Sequence, residues 1–248
     1  MGCRRVAFST VLAVAAAMST AGMAAEALPR GVLELFTSQG CSSCPRADAL
    51  LGELAQDTSV IALSLPIDYW DYLGWKDTLA KPRHTARQRG YAHVRGDREV
   101  YTPQVVVNGI THVLGSDKEA IERAIAATRQ QGATLSLPVK LALSGDKLNV
   151  TLPVAHGEVP QAEVWLCAVT RKVPVEIQRG ENHGHVITYN NVVRRWVKLG
   201  EWTGAGRTLS VPVAELKSEG VDAFAVLVQG GTADNPKTIL GAALESIH

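Results

Sequence analysis

The stretch Val32–Ala55, VLELFTSQGCSSCPRADALLGELA, decides how this chain is read. Val32–Phe36 is a short apolar run suited to a central strand, with Glu34 as its one exception. Thr37–Gly40 is polar loop. From Pro45 onward Ala47, Leu50, Leu51, Leu54 and Ala55 recur at helical spacing, and a proline fits a first helical turn because its missing N–H has no partner there to lose. Cys41-Ser42-Ser43-Cys44 therefore stands at a strand-to-helix junction. Unpaired N–H groups and the helix macrodipole favour an anion at that point, and the thiolate is the reactive form of a thiol. Cys41 is the expected nucleophile. Cys44, one turn in and shielded, is the expected resolving thiol.

Working outward, Val60–Leu65 is a second buried-type strand, and strand, helix, strand at this spacing makes a parallel, right-handed βαβ unit. The ends of its two strands share one sheet edge, where α/β sites form. The first strand delivers Cys41 to that edge. The second delivers DYWDYLGWKD, Asp68–Asp77. Tyr69, Trp70 and Trp75 in that segment suit a substrate wall beside the thiols and suit equally well a cap over the core. Thr78–Arg98 follows, with helical character over Thr85–His93. Val100–Val107 is a strand; if antiparallel, it starts from the same edge and brings Thr102-Pro103 to the cysteines. Asn108-Gly109 predicts a tight hairpin turn to Thr111–Leu114. Ser116 is placed to cap a helix over Lys118–Gln131, which Gly132 ends.

Beyond Gly132 the pattern changes to short alternating strands at Leu135–Leu143, Lys147–Val154, Val164–Val173, Val186–Tyr189, Val192–Leu199, Thr208–Val213, Ala223–Val228 and Ile239–Ser246. Such a run predicts a β-sandwich. Cys167 lies within one of these strands and reads as a core residue. Arg179–His185 is a charged, Gly-containing link that is either a solvated loop or one that reaches the cysteines.

The N-terminus carries Arg4 and Arg5, an apolar run over Val6–Ala17, and small residues around Ala25-Glu26-Ala27. This is the pattern of a secretory signal peptide, and the run is short for a membrane span. The expected location is the periplasm or the extracellular medium, with the membrane touched only if the signal stays uncleaved. Of four cysteines in 248 residues, Cys3 would leave with the signal, and so would all three methionines. A chain without Met lacks the thioether ligands that soft copper favours. The net charge of +1 gives no electrostatic case for binding nucleic acid. The chain thus divides into a signal peptide at 1–27, an α/β domain at 28–133 and a β-rich domain at 134–248.

The order β-α-β, insertion, β-β-α is that of thioredoxin. Cys41-Ser42-Ser43-Cys44 and Thr102-Pro103 resemble the active-centre motifs of the thioredoxin superfamily. In that superfamily the proline is cis and the backbone of the preceding residue pairs with substrate, so the resemblance implies that role for Thr102 and Pro103. FTSQGCSSCPRADALLGELA, DYWDYLGWKD, VYTPQVVVNG and RGENHGHVITYNNVVRRW together resemble a bacterial secreted family known by its domain of unknown function, number twelve-twenty-three. That resemblance covers nearly the whole mature chain. It implies a thioredoxin-like domain followed by a β-rich one, and no activity.

The leading expectation is an exported α/β thioredoxin-like protein that performs thiol–disulfide exchange. Its partners would be exported protein thiols or disulfides, or a redox partner protein. The disulfide itself would be the redox group, with no added cofactor and no metal. Two alternatives stand beside it. One is a non-catalytic binding module on the same platform. The other is a Cys/His metal site that borrows His183 and His185, which would need four ligands in all. Ser-Ser between the cysteines, unlike the pairs of known reductants and oxidants, leaves the direction of electron flow open.

Overall fold

The structure is a computed structural model that describes residues 28–155, 160–216, 218 and 220–247; the expected signal peptide lies outside the described residues. It is a mixed α/β fold with one eight-stranded sheet and one three-stranded sheet. The large sheet runs in the order β11-β10-β7-β8-β2-β1-β3-β4. Its strands are β1 (Gly31–Thr37), β2 (Val60–Pro66), β3 (Gln104–Val107), β4 (Thr111–Leu114), β7 (Ala162–Glu176), β8 (Val186–Trp202), β10 (Ala223–Gly231) and β11 (Pro236–Ser246). The small sheet is β5 (Lys140–Ser144), β6 (Lys147–Leu152) and β9 (Arg207–Pro212). The helices are α1 (Cys44–Leu54), α2 (Pro82–Arg95), α3 (Lys118–Arg129) and a single turn, α4 (Val213–Leu216).

β1 is buried along its whole length, as an apolar run between two strands should be. It pairs parallel with β2 and antiparallel with β3. Leu33 and Leu35 face α1 and α3, where Ala47, Leu51, Ile121 and Ile125 close a core. Val32 and Phe36 face the opposite way, toward Tyr91 of α2. Asn108 and Gly109, at φ 53° and 70°, make the left-handed turn at the start of the three-residue connection, 108–110, between β3 and β4. The α3 cap is Asp117, whose side chain accepts from Ala120 N, not Ser116. A carboxylate there satisfies a free N–H and also favours the positive end of the helix.

The second half departs from a free-standing sandwich. β7, β8, β10 and β11 continue the same sheet as β1 and β2. One face of these strands packs on the three-stranded sheet through Leu148, Val150, Leu166 and Phe224, which is the sandwich part. The other face carries Trp165, Cys167 and Leu227 into the core shared with Val32 and Phe36. The sheet curls around α2, so that Ile239 N donates to Asn108 O at 3.0 Å. Strand residues that are apolar on both faces are the physical cause: a run such as AFAVLV can only sit between two layers.

The two expected strands over Val186–Leu199 are one long strand, β8. β7 and β8 run past the sandwich as a two-stranded ribbon. A bulge between Ala168 and Val169 and a positive φ at Asn191 re-aim this ribbon. Asn191 Nδ2 donates to Ala62 O at 2.9 Å and ties the ribbon to β2. The ribbon's tip is the Arg179–His185 link.

Candidate functional site

Cys41 and Cys44 are joined in a disulfide, with their Cα atoms 5.4 Å apart. Cys41 lies in the turn that leads into α1, and Cys44 is the helix's first residue. Cys44 is fully buried and Cys41 is 6 % exposed. Ser43 stands at the helix cap, but its side chain satisfies no backbone N–H. Its Oγ lies 3.4 Å from Cys41 Sγ. No side chain caps this end of α1, so the helix's positive end is left open at the turn that carries the disulfide.

A groove of about 170 Å³ opens at Cys41, lined by Gly40, Cys41, Ser42, Ser43, Trp70, Leu73, Thr102 and Glu181. Of the residues singled out as substrate-binding, Trp70 and Thr102 line it, and Trp70 Nε1 donates to Thr102 Oγ1 at 2.8 Å. The Thr102–Pro103 peptide is cis, and Pro103 is buried beneath Thr102. Tyr69 turns toward the core shared by the two halves, and its ring lies tilted beside that of Trp70, with centroids 5.8 Å apart. Trp75 does not line the groove. It packs with Leu79, Ile177 and Tyr189, and its Nε1 donates to Gln39 Oε1 at 2.8 Å. The hollows with more room, about 380 and 430 Å³, lie elsewhere and are lined by no cysteine, histidine or acid.

The Arg179–His185 tip lands on the cysteine loop. Asn182 is buried, and its Nδ2 donates to Gln39 O at 2.8 Å and to Cys41 O at 3.0 Å. Glu181 Oε2 accepts from Ser42 N at 3.3 Å. Asp77 accepts from Gln39 N at 2.8 Å on the other side. The loop that carries Cys41 is thus held from the aromatic segment and from the far ribbon at once. Among the described residues, no group of three or more His, Cys, Asp or Glu is arranged to hold a metal ion.

Two buried acids change the reading of Glu34. Glu34 is the one charged residue of the central strand and the first acid to consider as a proton acceptor for the cysteines. It is instead committed to Arg87, whose Nε and Nη2 donate to it at 2.6 and 3.1 Å, and it accepts from Tyr91 Oη. It also shares the face of Val32 and Phe36, away from α1. The acid near the disulfide is Asp48, four residues after Cys44 on the same buried helix face. Its Oδ2 accepts from Thr37 Oγ1 at 3.1 Å, and its Oδ1 has no partner among the described residues. Burial pushes its pKa up to about 8, the Thr37 bond opposes that, and the nearby Asp77 charge adds to it. Asp77 is itself pushed up to about 6, by burial against three backbone N–H bonds. The Cys-x-x-Cys-x-x-x-Asp spacing was a legible signal for Asp48, because i and i+4 share a helix face.

No curated protein matches the chain. A crystal structure of an Agrobacterium tumefaciens protein is similar over 90 % of this chain and 97 % of its own, with 34 % identity and a TM-score of 0.80. HBP35 of Porphyromonas gingivalis is similar over 88 % of this chain and 74 % of its own, with 17 % identity and a TM-score of 0.56, a likeness of fold alone. The profile of a family described as "Protein of unknown function (DUF1223)" matches residues 32–229. This match spans the cysteine loop, the groove and the ribbon that clasps them, and the chain belongs to that DUF1223 family.

Proposed function

We propose that this chain is an exported thioredoxin-like protein that performs thiol–disulfide exchange through Cys41 and Cys44. The observation that carries the reading is a disulfide at a helix N-terminus, its outer sulfur beside a groove and its inner sulfur buried one turn from a half-unpartnered acid. A disulfide that closes so small a loop adds little chain-entropy stabilisation, so structure alone is a weak reason for it. The order β1-α1-β2, then β3-β4-α3, supports the thioredoxin-like reading of the first half.

In the oxidised protein a client thiolate attacks Cys41 Sγ. The Cys41–Cys44 bond breaks and its electron pair leaves on Cys44 sulfur. A second client thiolate attacks the client sulfur of the mixed disulfide and releases Cys41 as thiolate. The client loses two electrons and the cysteine pair gains them; the reverse sequence reduces a client disulfide. Asp48 holds a proton near neutral pH and is the group placed to give it to the leaving Cys44 thiolate, or to take it back. The Trp70 face and the Thr102 backbone supply the groove wall for an extended client segment.

Cys44→Ser should leave Cys41 able to attack and unable to be resolved, so mixed disulfides with exported proteins accumulate and appear by mass spectrometry. Absence of any adduct, with a Cys41 thiol that titrates like free cysteine, sinks the proposal. A binding module is the second reading, favoured by how little of Cys41 is exposed. It requires that alanine at both cysteines leave partner binding intact.

A further inference from the structure

The ribbon tip adds a charged residue to a site whose other groove-lining residues are neutral. Of the residues that line the groove, Glu181 alone carries an ionisable carboxylate or amine. It is held there rather than merely near: its neighbour Asn182 is buried and fixed by two carbonyls of the cysteine loop. Its own Oε2 accepts from Ser42 N at 3.3 Å. Arg46 on α1, and Arg179, His183 and His185 on the same tip, are exposed and do not line the groove. The groove's own lining therefore carries one negative charge and no positive one.

We propose that Glu181 is a specificity-determining residue: the groove selects polypeptide clients that carry a Lys or Arg beside the reacting cysteine. This rests on the exchange reading above. A client cation lying along the groove meets two favourable groups, the Glu181 carboxylate and the Trp70 ring face. Trp70 is pinned for this by its bond to Thr102, so little rotamer freedom is lost on binding. An acidic client side chain meets the same carboxylate with the wrong sign, which gives discrimination in both directions. The C-terminal half then has a role at the site, since it alone supplies the charge.

The test uses the full protein and three disulfide-linked peptides that differ only in Lys, Ala or Glu beside the cysteine. Rates of exchange should run Lys, then Ala, then Glu, with a Lys-to-Glu ratio of roughly three- to tenfold at low salt that shrinks at high salt. E181Q should bring the ratio close to one, and E181K should invert it. The ratio cancels any change in the thiol itself. An unchanged ratio in both variants, while wild type still turns over the uncharged hydroxyethyl disulfide, overturns the proposal and leaves the exchange reading standing. Failure of wild type to turn over any disulfide removes the exchange reading, and the proposal falls with it.

Discussion

Glu34 and Asp48 are both buried acids beside the central strand, and they lie on opposite sides of it. Glu34 is fully engaged. Arg87 donates to both its oxygens, Tyr91 donates to one, and Gln229 accepts from Arg87 at 2.7 Å while donating to Tyr91 at 2.7 Å. The Arg87 guanidinium also lies 4.4 Å over the Trp196 ring. This network joins β1 and α2 to β10 and β8, so it stitches the two halves of the chain together. Among the described residues Asp48 has one hydroxyl partner, and one of its oxygens has none. Ser64 Oγ and Tyr189 Oη are unpartnered and buried as well, and the Tyr189 hydroxyl feels the charges of Asp48 and Asp77. Burial is common to both acids. What separates them is the count of satisfied lone pairs: a saturated acid fixes structure, and an unsaturated one beside a disulfide is free to exchange a proton.

The largest expected effect breaks the saturated side. Arg87→Ala leaves Glu34 buried without its countercharge and should cost about 3–5 kcal/mol of stability, measured by urea unfolding. A loss below about 1 kcal/mol would mean that the network is ornamental. Arg87→Met combined with Glu34→Leu should recover most of the loss, since no charge is then stranded.

The next effect belongs to Asp48 and is a matter of pH. The folded protein holds the Asp48 proton up to about pH 8, whereas an ordinary aspartate releases it near 3.8. Between those values the folded state binds the extra proton, so stability falls as pH rises and levels off above about 8. Asp77 acts with the same sign only up to about 6, and His84, depressed by burial to about 4, acts with the opposite sign only below 6.5. From pH 6.5 to 8 the slope is therefore that of Asp48, worth up to ~2 kcal/mol across the window. Asp48→Asn should flatten it. Parallel unfolding curves for wild type and variant across that window would place the proton elsewhere.

Smaller effects sharpen the picture of the clasp. Asn182→Ala removes two bonds to the cysteine loop and should cost about 1 kcal/mol, with faster amide exchange at Gln39 and Ser42 as the local signature. Trp70→Phe keeps an aromatic face of smaller area and loses the bond to Thr102. It should cost about 0.5 kcal/mol of stability, read by thermal unfolding, with a larger fractional loss in client exchange than in stability.

Much of the first half was legible because its residues obey local rules. The alternation of helix and strand periods, the Asn108-Gly109 turn and the proline of the α1 first turn each fix backbone geometry on their own. The sharing of one sheet by both halves was not legible, because strand order is a long-range property that a run such as AFAVLV does not encode. The link that carries Asn182 was legible only as two alternatives, a solvated loop or one that reaches the cysteines, because the choice between them rests on contacts at a sequence separation of 141 from Cys41. Glu34 drew the eye as a charge within an apolar run, but its partner Arg87 lay in a segment with weak helical patterning. Asp48 carried the better signal, a helical i+4 spacing from Cys44, and only burial revealed its chemistry.

The central claim is that the Cys41–Cys44 bond opens and closes in the folded protein, with Asp48 as its proton partner. The reduction potential of the pair, read against a dithiol buffer from pH 6 to 9 in wild type and Asp48→Asn, tests it directly. The account predicts reversible two-electron reduction without unfolding, at a potential above about −300 mV, and a pH dependence that bends near 8 in wild type and loses that bend in the variant. A pair that stays oxidised until the protein unfolds would contradict it, and would make this disulfide a structural staple.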